Sequence, residues 1–125
     1  MKPYPILFAV GLLGGCATPL GAAIAPEGNK VPLNQAVHVG ALVATPRAVV
    51  EDSRCPINAR CVWAGRLVVS TRIDGPGWHE AVPLTLGAPY ATHGTTIALV
   101  SGTPAKRTER TTAPADYRFS FEAER

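Results

Sequence analysis

The sequence has few aromatic residues and only a small excess of positive charge, and both shortages restrict its possible partners. Aromatic residues make up 6% of the 125 residues, and the formal net charge is +3. A surface that binds nucleic acid needs a basic stripe, commonly with aromatic side chains on which bases stack, and no segment of the chain has that pattern. We therefore expect no nucleic-acid partner.

Long hydrophobic runs and helical periodicity are also missing. The apolar run at residues 6–13 is far shorter than the roughly 20 residues that cross a bilayer as a helix. Glycine and proline, 12 of each, recur along the whole chain, and relative to alanine they cost a helix interior about 1 and about 3 kcal/mol. The composition therefore favours short strands joined by turns.

The first 15 residues are typical of an export signal. Lys2 supplies a positive charge, residues 6–13 form an apolar segment, and small residues follow. The tetrapeptide Leu13-Gly14-Gly15-Cys16 resembles a bacterial lipobox, in which the cysteine thiol receives a diacylglyceryl group and the chain is cleaved just before it. We predict a lipoprotein signal peptide at residues 1–15 and lipidation of Cys16.

A lipid on Cys16 would determine both the compartment and the attachment of the protein. Each buried CH2 of an acyl chain stabilises attachment by about 0.8 kcal/mol, so several chains hold a protein at a membrane permanently. Ala17 stands where an aspartate retains enterobacterial lipoproteins in the inner membrane, so we expect the outer membrane, facing the periplasm. The alternative is an ordinary signal peptide cleaved near Ala23 or Ala25, which would discard Cys16.

Residues 16–34 are predicted to be a lipidated N-terminus and a flexible tether, ahead of a β domain at residues 35–125. The segment is rich in proline and glycine and has little hydrophobic periodicity. A flexible tether of about 16 residues has an end-to-end distance of roughly 20 to 25 Å, which would keep the domain near the membrane. Removal of Lys2 with the signal leaves 11 basic and 9 acidic residues, so the mature chain has a net charge of about +2.

The three cysteines predict one disulfide bond. If Cys16 carries a lipid, Cys55 and Cys61 remain as a pair in an oxidising compartment. A loop with five residues between the cysteines can bring their Cα atoms to the separation that a disulfide requires. Loop-closure entropy for so small a ring predicts a stabilisation of roughly 2 kcal/mol.

Alternating hydrophobic residues predict an all-β domain, a small antiparallel sandwich or barrel of about six or seven strands. Thr45-Pro46 is expected to end the first strand, and Pro83 to place its strand at an edge or a bulge. The strongest alternation lies along residues 62–73. One face of this strand is expected to belong to the core, and it carries Trp63, Leu67, Val69, Thr71 and Ile73. The predicted strands are residues 37–43, 47–52, 62–73, 78–86, 95–101 and 115–124, with a turn at 74–77 and loops at 87–94 and 102–114.

The densest cluster of unusual residues surrounds the predicted disulfide. Its run Asp52-Ser53-Arg54-Cys55-Pro56, four variable residues and Cys61-Val62-Trp63-Ala64-Gly65 resembles the signature of an uncharacterised family of short bacterial exported proteins and lipoproteins. A looser similarity extends to Thr96-Ile97-Ala98-Leu99 and Asp116-Tyr117-Arg118, so it covers most of the domain. The resemblance implies a shared fold, and it carries over no catalytic residue.

Patterns for catalysis and metal binding are weak. His38, His79 and His93 are scattered, and the two cysteines lack the tight pair spacing of a zinc site. No serine or threonine lies in the glycine-flanked turn of a nucleophile elbow, and the adjacent Glu51 and Asp52 would point to opposite faces of a strand. We therefore expect no enzymatic activity, metal or cofactor, with soft-metal or redox handling as the alternative.

The sequence favours a lipid-anchored protein of the cell envelope with a non-catalytic binding or structural domain. A disulfide-stiffened loop would present a recognition tip to a protein or cell-wall ligand, with the candidate residues Arg54, Ile57, Asn58 and Arg60. Lys106, Arg107 and Arg110 are expected to form a solvated loop rather than a lipid-binding patch, because Glu109 dilutes their charge. A further alternative is an inhibitor of a hydrolase such as lysozyme, by analogy with other small lipid-anchored β domains.

Overall fold

The computed structural model describes residues 23–124. The predicted signal peptide, Cys16 and the first part of the predicted tether lie outside these residues. Within residues 23–124 no helix is long and apolar enough to cross a membrane. The elements are β1 (Val37–Val39), β2 (Leu42–Asp52), β3 (Leu67–Gly75), β4 (Trp78–Thr85), β5 (Tyr90–Thr92), β6 (Thr95–Thr103), a 3-10 helix (Pro114–Asp116) and β7 (Arg118–Ala123).

The strands form two antiparallel sheets that pack face to face. One sheet has the order β1-β2-β3-β4 and the other the order β5-β6-β7. The domain is therefore an all-β sandwich, as predicted, and not a closed barrel. Its core is built by inward side chains of both sheets: Val37, Val39, Leu42, Ala44, Leu67, Val69, Ile73, Leu84, Ile97, Leu99, Phe119 and Phe121.

Period-two alternation located the two strands that contribute most to this core. Along β3, Leu67, Val69 and Ile73 are fully buried, and on β7 Phe119 and Phe121 are fully buried as well. The sheets approach closely where β6 crosses β3, because a Cβ atom at Gly102 would lie 2.3 Å from a methyl group of Leu67. Only glycine allows that approach without displacement of the leucine.

The predicted first strand at residues 37–43 is wrong, because a tight turn divides it. Gly40, with φ of +59°, begins a two-residue turn that pairs β1 with β2, and Val39 lies opposite Leu42. The predicted break at Thr45-Pro46 is also wrong, since β2 continues through it. Pro46 lies beyond the residues of β2 that pair with β1, and its carbonyl accepts a hydrogen bond from the amide of Asn34, which precedes β1 (2.6 Å). The missing proline amide therefore costs no hydrogen bond between β1 and β2.

Further strand assignments differ from the prediction: β6 extends to Thr103, and β7 begins at Arg118, after the 3-10 helix, rather than at residue 115. Strand β3 begins at Leu67 rather than at residue 62, and Trp63 is 62% exposed instead of buried in the core. The predicted loop at 87–94 contains β5, a strand too short to give a periodic signal. The edge position predicted from Pro83 is confirmed, because among residues 23–124 the sole strand paired with β4 is β3.

The predicted tether is wrong in its second half, because residues 25–34 pack on the sandwich. Ala25 forms a bridge with Val37, and Val31 forms a bridge with Phe119 through two backbone hydrogen bonds of 2.8 Å. Val31 is 2% exposed and belongs to the core. Single bridges leave no hydrophobic periodicity in the sequence, so the pattern that identified the strands could not identify this segment.

Replacement of Val31 by alanine tests whether this segment is part of the folded unit. Val31→Ala removes two buried methyl groups and leaves a cavity, so we expect the free energy of unfolding to fall by about 2 kcal/mol. Lys30→Ala is the matched control, since Lys30 is exposed, and it should change stability by less than about 0.5 kcal/mol. Urea unfolding of the three proteins measures both values, and equal midpoints would show that residues 25–34 do not stabilise the domain.

Candidate functional site

A closed loop follows β2 and precedes β3 at one end of the sandwich. We call residues 53–66 the cysteine loop; Cys55 and Cys61 form the predicted disulfide within it, with 5.8 Å between their Cα atoms. At its base the Ser53 amide donates to the Arg66 carbonyl (2.8 Å), and the Arg66 amide donates to the Ser53 hydroxyl (3.0 Å). Gly65, with φ of +67°, lies so close to the Ser53 carbonyl that no side chain fits there. The loop is therefore closed both at its base and by the disulfide.

The cysteine loop contacts a second loop, residues 104–113, which we call the basic loop. The Ile57 amide donates to the Lys106 carbonyl (2.9 Å). The Asn58 side chain accepts from the Thr108 amide (3.0 Å) and donates to the Glu109 carboxylate (2.7 Å). These contacts join segments about 50 residues apart and fix the orientation of one loop against the other.

A largely buried ion pair lies beneath both loops. The Asp52 carboxylate accepts two hydrogen bonds from the Arg54 guanidinium (2.8 and 2.9 Å) and one from the Tyr117 hydroxyl (2.7 Å). The Arg54 and Asp52 side chains are only 17% and 10% exposed. Arg54 also donates to the carbonyl of Gly102 (2.8 Å), and the Lys106 ammonium donates to the Asp52 carbonyl (2.8 Å). This polar cluster ties both loops to the ends of β2, β6 and β7.

The cluster changes the acidity of its members. Burial alone would raise the pKa of Asp52, but the hydrogen bonds from Arg54 and Tyr117 outweigh that effect and hold this pKa below its usual value. Burial and the neighbouring Asp52 carboxylate raise the pKa of Tyr117 to about 12. Asp52 is therefore ionised and Tyr117 protonated at neutral pH.

The predicted recognition tip is only partly exposed. Arg54 turns inward onto Asp52, so the prediction that the loop holds it out to a partner is wrong. Asn58 is at the surface, yet its side chain is occupied by the basic loop. Ile57 is 63% exposed, and Arg60 is also exposed.

Sequence reasoning missed two exposed residues because it assigned them to the following strand. Val62 is 96% exposed and Trp63 is 62% exposed, just after the disulfide. Gly65, which disfavours a strand interior, was the local sign that β3 had not yet begun. Together with Ile57, these residues form a set of large exposed apolar side chains that we call the apolar tip.

A cleft of about 380 Å³ opens between the basic loop and the start of the cysteine loop. The prediction that the basic loop is simply solvated is wrong for Lys106, which is half-buried and donates a hydrogen bond to the Asp52 carbonyl. Arg107 pairs with Glu109, and this contact, with that of Asn58, lowers the pKa of Glu109 to about 2. The cleft is lined by Asp52, Pro56, Lys106, Arg107, Thr108, Arg110, Thr111, Thr112 and Tyr117.

The histidines and carboxylates proposed for other chemistry do not gather at this site. In the part of the chain that the structure describes, no group of three or more histidine, cysteine, aspartate or glutamate side chains could hold a metal ion. His93 stacks on Trp78, with 3.5 Å between ring centroids, and both cysteine sulfurs are bonded to each other. Glu51 and Asp52 take different arginine partners, Arg66 and Arg54. The arrangement at the loops is suited to apolar and cationic contacts with a ligand.

The ion pair beneath the loops gives a pH-dependent prediction. Asp52→Asn leaves the Arg54 charge without its partner, so we expect a loss of about 2 to 3 kcal/mol of unfolding free energy at pH 7. Because the pKa of Asp52 is lowered in the folded protein, its contribution is complete above the unfolded pKa of about 3.9 and disappears as the pH falls through the folded pKa. The difference between variant and wild type should therefore shrink below about pH 3.9.

Asp74→Asn provides the control for this experiment. Asp74 pairs with Arg72 at the surface, where their side chains are 36% and 48% exposed, so its loss should cost less than about 1 kcal/mol. Urea unfolding from pH 7 to pH 2.5 measures both variants. A deficit of Asp52→Asn that is as large at pH 2.5 as at pH 7 would contradict the role given to the carboxylate.

No family model, curated protein or solved structure matches the chain.

Proposed function

We propose that the chain is a lipid-anchored protein of the bacterial cell envelope and that its β-sandwich is a non-catalytic binding domain. The observation that carries the proposal is the apolar tip, where Ile57, Val62 and Trp63 are each more than 60% exposed on a loop that is fixed in place. Side chains of this kind gain free energy when a partner covers them, at about 25 cal/mol per Å² of apolar surface. The proposed contact surface is therefore the apolar tip.

The stiffness of the cysteine loop supports this use. A flexible loop loses conformational freedom when it binds, and each immobilised side chain costs roughly 0.5 to 1.5 kcal/mol. Here the disulfide, the bonds between Ser53 and Arg66 and the contacts of Asn58 already restrict the loop before binding. Tryptophan is also among the residues that most often dominate binding energy, which makes Trp63 the principal contact in this proposal.

The anchor supports a partner close to the membrane. Formation of the disulfide agrees with export to an oxidising compartment such as the periplasm. Six residues lie between Cys16 and Ala23, and the seven residue-to-residue steps span at most about 25 Å. A lipid on Cys16 would therefore hold the sandwich near the outer membrane, where a protein or a cell-wall ligand lies within its reach.

The two alternative functions differ in what they require of the loop. Soft-metal binding needs free thiolates, and in this structure the disulfide occupies both Cys55 and Cys61. Redox handling would instead cycle this disulfide with its reduced dithiol form, a use for which the apolar tip has no role. Inhibition of a hydrolase such as lysozyme is a narrower form of the binding proposal, in which the same stiff loop enters an enzyme cleft; it rests on analogy between small anchored domains. The general binding role is the one that the apolar tip supports best.

The lipid anchor is tested by substitution of its cysteine. When cells are fed a fatty acid that carries a clickable tag, the wild-type chain should acquire the tag and fractionate with membranes. Cys16→Ala removes the acceptor thiol and should abolish the label, whereas Cys55→Ser leaves the lipobox intact and should retain it. A wild-type chain that takes up no label would refute the anchor.

The apolar tip is tested by quantitative capture of envelope components with the purified full chain. Trp63→Ala should lower the amount of each specifically captured component at least about tenfold, since loss of a dominant contact costs more than about 1.4 kcal/mol. Val100→Ala is the matched control, because Val100 is a 42% exposed apolar residue on β6 and belongs to neither loop, and it should capture as wild type does. Equal capture by all three proteins would remove the tip as the contact surface.

A further inference from the structure

The two loops and the ion pair beneath them carry more positive than negative charge. Residues 52–66 and 104–113 together contain six basic and two acidic residues. Both acidic groups are occupied, Asp52 by Arg54 and Glu109 by Arg107. Among residues 23–124, Lys106 and Arg110 form no ion pair with a carboxylate, and both line the cleft. The cleft therefore presents two cations whose charge is not neutralised by direct pairing.

The basic loop holds these cations in a defined place. Arg107 and Arg110 are bridge partners across a two-residue turn, so their side chains leave the same side of the backbone. Glu109 engages Arg107 and leaves Arg110 available. The Lys106 ammonium uses one hydrogen for the Asp52 carbonyl, and two hydrogens remain to donate.

Hydroxyl groups complete the lining of the cleft. Thr108, Thr111 and Thr112 line the cleft beside the cations. The Thr108 hydroxyl already donates to the Glu109 carboxylate (3.3 Å), so Thr111 and Thr112 are the hydroxyl donors proposed for a ligand. The volume of about 380 Å³ falls within the range of about 300 to 1,000 Å³ that is usual for small-molecule sites. The cleft therefore has room for an anionic group together with part of the molecule that carries it.

We propose that this cleft binds a phosphate group on the ligand of the apolar tip, with Arg110 and Lys106 as its cationic contacts. A phosphate monoester carries a charge of about −1.5 to −2 and three acceptor oxygens, which matches two cations and two hydroxyl donors better than a single carboxylate does. Arginine matches phosphate through two parallel hydrogen bonds, and lysine acts as a point charge.

The position of the cleft connects it to the apolar tip. Pro56 lines the cleft, and the next residue, Ile57, is part of the tip. A ligand that occupies both sites has a phosphate close to an apolar portion. Lipid head groups and phosphorylated envelope polymers share that chemistry. The inference rests on the proposed function only for the tip; the cleft is tested by itself.

The first experiment titrates glycerol 3-phosphate into the full chain held in a nonionic detergent and follows backbone amide signals by NMR. Saturable shifts at Thr108, Thr111 and Thr112 are expected, whereas glycerol, which lacks the phosphate, should shift none of them. Arg110→Gln should weaken the dissociation constant at least about fivefold, which corresponds to roughly 1 kcal/mol. Arg47→Gln is the matched control, because Arg47 is exposed on β2 and in no ion pair of the described residues.

The outcomes separate a built site from general attraction to positive charge. Absence of saturation, or an equal effect of Arg110→Gln and Arg47→Gln, would overturn the proposal. Arg110 is exposed, so its substitution should leave the thermal unfolding temperature unchanged. Lys106→Gln is a second variant, with unfolding measured alongside because its ammonium also supports Asp52.

A second titration identifies the source of the phosphate. Dihexanoyl phosphatidic acid, used below its micelle concentration, adds two short acyl chains to glycerol 3-phosphate and keeps the same phosphate monoester. Binding at least about tenfold tighter than glycerol 3-phosphate, with the gain lost in Trp63→Ala, would assign a lipid head group. Equal affinity for the two compounds would assign a phosphate on a nonlipid ligand. If the cleft binds phosphate but Trp63→Ala captures envelope components normally, the cleft proposal stands and the apolar tip is refuted. If Trp63→Ala loses capture but the cleft binds no phosphate, the apolar tip stands and the cleft proposal is refuted.

Discussion

The hydrogen-bonded ion pair between Asp52 and Arg54 is the contact on which the arrangement of the loops depends. Asp52 ends β2, and its carboxylate also accepts a hydrogen bond from Tyr117, just before β7. Arg54 lies in the cysteine loop and donates to the carbonyls of Gly102 and Pro104, at the end of β6 and just beyond it. The two residues therefore connect both sheets of the sandwich to the cysteine loop. A charged pair in this position tolerates loss of neither partner, because the remaining charge would be largely buried and uncompensated.

The disulfide closes the cysteine loop, whereas the polar contacts orient it against the sandwich. The disulfide closes a small ring and restricts the unfolded chain, but it does not orient that ring against the sandwich. Orientation comes from Arg54 and Asn58, whose partners lie near the end of β6 and in the basic loop. The same contacts occupy Asp52 and Glu109, the two carboxylates of this region. The contacts that orient the loops thus also engage these carboxylates, which leaves the cleft with a positive character.

Sequence patterns predicted the strands whose alternate residues are buried, because that property is local. They did not predict the site, because its contacts join distant segments: nothing beside Arg54 indicates that carbonyls 48 and 50 residues away accept from its guanidinium. Trp63 and Leu67 fit one period of two, yet Gly65 between them adopts a positive φ that ends the loop and lets the strand begin later. Val31 joins the core through a single bridge, which has no periodic signature. The period of two that identified the core strand β3 also included Trp63, so the exposed tip was assigned to that strand.

The position of Trp63 is unusual for a domain with so few aromatic side chains. The core depends on Phe119 and Phe121, which are fully buried, whereas Trp63 and its neighbour Val62 are 62% and 96% exposed. Burial of one large apolar side chain contributes roughly 1.5 to 3 kcal/mol, a substantial part of the 5 to 15 kcal/mol that stabilise a typical domain. Trp63 lies between the disulfide and Gly65, which restrict the loop on either side of it. The fold therefore leaves this burial energy unused in the isolated domain, and the energy is gained only when another molecule covers the tip.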